Sequence, residues 1–86
     1  MKTGAIVYIS GKEPEHFNPD PRVLAENLGL KSDKTLIISE KSGCYDLHEA
    51  WFSLAVKGMQ KIVCYFACFN TSQELCLTER SLRFCG

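Results

Sequence analysis

Residues 62–69 read Ile-Val-Cys-Tyr-Phe-Ala-Cys-Phe, eight positions with no charge and no polar alternation. A strand with one wet face alternates, whereas a strand covered on both faces does not. The run is too short to span a membrane, which takes about 20 apolar residues. It therefore calls for a sheet with cover on both sides. Residues 5–9 (Ala-Ile-Val-Tyr-Ile) and 35–39 (Thr-Leu-Ile-Ile-Ser) have the same character.

Helical segments separate these runs. Asp20 is placed to cap a first helix, and Pro21 suits its first position, where a missing N–H leaves nothing unsatisfied. Leu24 and Leu28 share a face, and Gly29 is the expected left-handed stop, with Leu30 packing back. A second helix is predicted from residue 45 or 46 to 57. Leu47, Ala50, Trp51, Leu54 and Ala55 recur on it at helical spacing, Phe52, Val56 and Met59 extend that face, and Gly58 ends it. In the tail, Leu75 and Leu77 alternate, then Leu82 and Phe84 do, around a polar break at 78–81. A turn there gives a tail hairpin; a short helix from Ser72 is the alternative.

The order β-α-β-α-β predicts an α/β fold: a small three-stranded parallel sheet with right-handed crossovers, plus a C-terminal β-hairpin or short helix. Eighty-six residues make this a single small domain. Two helices are scant cover for three strands apolar on both faces. Either the tail covers the rest or a second subunit does, and a homodimer is the expected answer.

Ten Lys+Arg balance ten Asp+Glu. No basic excess exists to hold a phosphate backbone, and no aromatic residues interleave with basic ones, so no nucleic-acid partner is expected. No membrane segment is expected either. The opening residues lack the apolar run of about 7–15 residues that a secretory leader needs. Five cysteines, an odd number, suggest free thiols and a cytoplasmic setting rather than a disulfide framework.

Ligands of open parallel sheets bind at the carboxyl ends of the strands. Here those ends are small and polar: Ser10, Gly11 and Lys12; Ser42 and Gly43; Asn70 and Thr71. Backbone N–H groups at such ends suit a small anionic ligand. Lys12 does not belong to a phosphate-binding P-loop, which needs a second glycine and a following Ser or Thr. No cofactor motif is present. Cys44 stands just before the second helix, where the helix dipole favours a thiolate, and His48 follows one turn later. That pair has the makings of a nucleophile and its base. Cys44, His48, Cys64 and Cys68 also invite a zinc reading. Four strand steps, however, separate Cys64 from Cys68 by about 13 Å, too far for one zinc or a mutual disulfide. No metal is expected.

Ile37-Ile38-Ser39, the turn from Ser42 to Asp46, a helix with Ala50 and Ala55, then Gly58-Met59 and Val63-Cys64-Tyr65-Phe66 make a strand–helix–strand unit. This unit resembles the opening of the DsrE-type sulfur-relay proteins. The resemblance implies a small oligomer with a sulfur-carrying cysteine; no motif places that cysteine here. The expected function is a non-catalytic small-ligand-binding or protein-interaction domain that self-associates. The alternative is a thiol-based sulfur-transfer or redox protein using Cys44, with His48 as helper.

Overall fold

A computed structural model describes residues 2–17, 20–41 and 46–85, with 78–85 described through the backbone alone. Its elements run β1 (Thr3–Ile9), α1 (Pro21–Asn27), a 3₁₀ turn (Ser32–Lys34), β2 (Thr35–Ile38), α2 (Leu47–Val56), β3 (Lys61–Phe69) and β4 (Leu75–Cys85). The strands form one sheet in the order β2-β1-β3-β4. β1 is parallel to both β2 and β3, with Tyr8 opposite Ile38 and Phe66. β4 runs antiparallel to β3.

The sheet is thus mixed and four-stranded, which corrects the expected three-stranded parallel sheet. The tail neither folds into its own hairpin nor forms a helix. It returns along β3 as one strand of 11 residues. The polar break read as a turn is a pair of bulges. The register slips between Cys64 and Tyr65 and between Phe66 and Ala67, which leaves Ser81 and Thr78 without a partner on β3. A bulge absorbs one extra residue without ending the strand.

The central strand β1 separates two apolar clusters. Ile6, with Ile38, Ile62 and Cys64, meets Ala50 and Leu54 of α2. Val7 and Ile9, with Ile37 and Ala67, meet Leu24 and Leu28 of α1 on the other face. Each helix therefore covers one face, and the tail widens the sheet instead of capping it. Ile6, Val7 and Ile62 are 0% exposed. Each such side chain contributes about 1.5–3 kcal/mol, against about 1 kcal/mol for a typical helix cap.

On α2 the apolar face is narrower than its sequence suggests. Ala50 and Leu54 are buried, while Phe52 (58% exposed) and Val56 (70%) point to solvent. Met59 reaches the core by another route. Both helices end in the same motif. Gly29 and Gly58 take positive φ (76° and 92°). The next residues, Leu30 and Met59, donate N–H groups back to Ala25 and Leu54 at 2.8 and 3.2 Å. Their side chains then join opposite clusters. The N-terminal ends are also capped: Asp20 accepts from the Arg22 N–H at 3.0 Å, and Asp46 from the His48 N–H at 2.9 Å.

At Gly58 an added Cβ meets no atom within 4 Å, so the left-handed backbone is the only obstacle to a side chain. Gly58→Ala is expected to destabilise the protein by about 1 kcal/mol in urea unfolding.

Candidate functional site

The first crossover leaves β1 for β2, and the second passes from β2 over β1 to β3. The loop after β1 leaves towards β2 and the turn after β3 leads to β4 on the opposite flank, so the two diverge, and crevices open at such points. Backbone needs dictate much of what the side chains do there. Ser10 extends the ladder with its N–H to the Ala67 carbonyl at 2.9 Å, and its hydroxyl donates to the same oxygen at 3.2 Å. Gly11 turns the chain at φ 84°. Lys12 is exposed just beyond it.

After β3 the chain reverses through residues 70–74. The Asn70 carboxamide oxygen accepts the Ser72 and Glu74 N–H groups at 2.9 and 3.0 Å. Its nitrogen donates to Cys76 Sγ at 3.4 Å. Gln73 adopts φ 61° with its N–H on the Asn70 carbonyl at 2.9 Å. That left-handed position in a short hairpin loop usually holds glycine. Thr71 sits exposed in the turn.

Of the expected ligand residues, Lys12 and Asn70 come together around one hollow of about 430 Å³. Glu13, Glu15, Phe69 and Gln73 also line it. Ser10, Gly11 and Thr71 adjoin in sequence but do not line it. Ser42, Gly43 and Cys44 lie outside the described residues. The Glu13 Oε2 atom is buried and has no hydrogen-bond partner among the described residues. A second hollow of about 430 Å³ lies beside α1, lined by apolar Phe17, Leu24, Leu28 and Leu75. Phe69 and Gln73 line both hollows, so the two share a wall.

His48 is exposed at the start of α2 and stacks on Trp51, with ring centroids 6.1 Å apart and planes at 20°. The two residues line a hollow with Asp46 and Leu47. Cys64 is 0% exposed, and burial pushes its thiol pKa above the ordinary 9.0, away from nucleophilic use. It shares a strand face with Cys68, which is half-buried. Cys76 is exposed and falls opposite Cys68. Among the described residues, no group of three or more His, Cys, Asp or Glu side chains converges on a point fit for a metal ion. Among them, too, no helix is long and apolar enough to cross a membrane.

Sequence reasoning missed Lys41. Its Nζ donates to the carbonyls of Pro14, Glu15 and Phe17 at 2.8, 3.2 and 3.1 Å. It also stands 6.0 Å from the Phe17 ring centroid. An ammonium has three donors, and all are engaged. The signal was present in the loop itself. Pro14 and Pro19 supply no N–H, so a loop containing both has fewer internal donors for its carbonyls.

Comparison with protein-family models, with curated proteins and with solved structures finds no match for this chain. The sulfur-relay likeness thus rests on the residues that suggested it.

Because Lys41 ties β2's carboxyl end to the loop after β1, Lys41→Ala should release that loop. Hydrogen exchange at residues 12–17 is expected to accelerate while β1 and β3 keep their protection. Unchanged exchange in the loop would show that the three bonds do not hold it.

Proposed function

We propose that this chain is a non-catalytic binding domain that takes a small polar molecule into the hollow at the carboxyl edge of β1 and β3. The observation that carries the reading is the wall of this hollow, where Lys12, Glu13, Glu15, Asn70 and Gln73 converge. The hollow's volume lies in the range of small-molecule sites, about 300–1,000 Å³. Glu13 and Glu15 outnumber Lys12 along its wall. A cationic or neutral donor therefore suits it better than the small anion expected from the strand ends.

The test is a pair of NMR titrations, one with methylammonium chloride and one with inorganic phosphate. Methylammonium should shift the amides of residues 11–13, 15 and 70–73, and Glu13→Gln should weaken that response. A response to phosphate alone would return the site to the anionic reading. No response to either, with rapid alkylation of Cys44 and loss of sulfur-acceptor activity in Cys44→Ser, would favour the thiol alternative. What supports that second reading is the exposed His48 imidazole, which lines its own hollow and follows Cys44 by four positions in sequence.

The reading includes a cytoplasmic setting and self-association. Phe52 and Val56 stand one turn apart on the outward face of α2, 58% and 70% exposed. Burying this pair against its copy is the proposed contact. Sedimentation equilibrium should then find a dimer that Val56→Glu converts to monomer. A wild-type monomer at high concentration would exclude this contact.

A further inference from the structure

Cys68 and Cys76 are direct cross-strand partners near the tip of the β3–β4 hairpin. The Asn70 N–H donates to the Glu74 carbonyl at 2.9 Å and closes that hairpin. Hydrogen-bonded and non-hydrogen-bonded pairs alternate along an antiparallel ladder, so the 68/76 pair is again of the bonded kind. Its Cα atoms then lie about 5.5 Å apart, within the range that a disulfide spans. Both thiols are free. Their accessibilities differ in a useful way: Cys76 is exposed, while Cys68 is half-buried behind it. The Asn70 carboxamide donates to Cys76 Sγ at 3.4 Å and the thiol donates to the Glu74 carbonyl at 3.8 Å, which orients the sulfur.

We propose that Cys68 and Cys76 form a reversible cross-strand disulfide, made and broken by exchange with a low-molecular-weight disulfide. The Cys76 thiolate attacks one sulfur of that disulfide. Its S–S bond breaks, and the leaving thiolate takes up the proton that Cys76 gave to solvent. The Cys68 thiolate then attacks the Cys76 sulfur of the mixed disulfide and expels the second small thiol. Two protein thiols are oxidised, and one small disulfide is reduced to two thiols.

The geometry makes this a labile bond. In a hydrogen-bonded antiparallel pair the Cβ atoms stand about 1 Å farther apart than an unstrained disulfide wants. A strained, accessible disulfide is readily reduced again. In the reduced state Asn70 binds both the turn and Cys76. Oxidation would replace the thiol contact with a covalent tie across the turn that carries Gln73, a residue shared by both hollows.

The test uses the full chain in mixtures of oxidised and reduced glutathione, quenched with acid, alkylated and mapped by mass spectrometry. Cys68 and Cys76 should lose their alkyl tags together and appear as one linked peptide pair, and reduced glutathione should restore both tags. In Cys68→Ser, Cys76 should carry glutathione, since the closing thiol is gone. Two outcomes would overturn the proposal. One is a glutathione adduct that persists on Cys76 in the wild-type chain. The other is Cys76 linked to a different cysteine or to a second chain. Cys76→Ser, altered at an exposed position, serves as the folded control and should leave Cys68 tagged throughout.

Discussion

Everything in this structure hangs on β1 having no free side. Its backbone is paired to β2 and β3, and its side chains are buried on both faces. A chain that begins its core with such a strand must cross to one flank and then to the other, with a helix above and a helix below. The approach is close. A Cβ at Gly4 would come within 3.1 Å of Met59 Cγ and 3.3 Å of Leu54 Cδ1. The end of α2 therefore rests almost on the β1 backbone, and a glycine makes room for it. The crevice at the carboxyl edge lies where the loop after β1 turns towards β2 and the hairpin after β3 turns towards β4.

The parts of the fold that were legible in sequence are those decided locally. Apolar runs marked β1, β2 and β3 to within a few residues. Asp20 with Pro21 marked the start of α1; Gly29 and Gly58 marked stops. These signals work because each satisfies a backbone group or a φ angle within a few positions. The tail was not legible, because its pairing is not local. Thr78-Glu79-Arg80-Ser81 is good turn chemistry, and only alignment against β3 turns it into two bulges. Phe52 and Val56 were assigned to the core face because an apolar stripe can be read wider than the groove it fills.

The candidate site was legible as a place rather than as a set of roles. The strand ends do gather polar residues, yet several of those residues serve the backbone first. The Ser10 hydroxyl prolongs the β1–β3 ladder, and the Asn70 oxygen holds the turn. Lys41 is committed to three loop carbonyls. What remains at the hollow is Lys12, Glu13, Glu15 and Gln73, of which only Lys12 stood among the residues expected from the sequence. The pairing of Cys68 with Cys76 was hidden for the reason that hid β4. Eight positions separate them in sequence, and neither spacing nor composition sets two cysteines face to face until the register is known.

The doubled bulge in β4 also bears on how copies of this chain avoid one another. β2 and β4 are the two open edges of the sheet. β2 pairs over only four residues, too short to template a partner strand securely. β4 runs for 11, long enough to recruit a foreign strand and seed a fibril, but two slips of register break its ladder. Bulges twist an edge and interrupt its row of free N–H and C=O groups, which denies an incoming strand a continuous match. An edge broken in this way offers no continuous row for endless growth of the sheet.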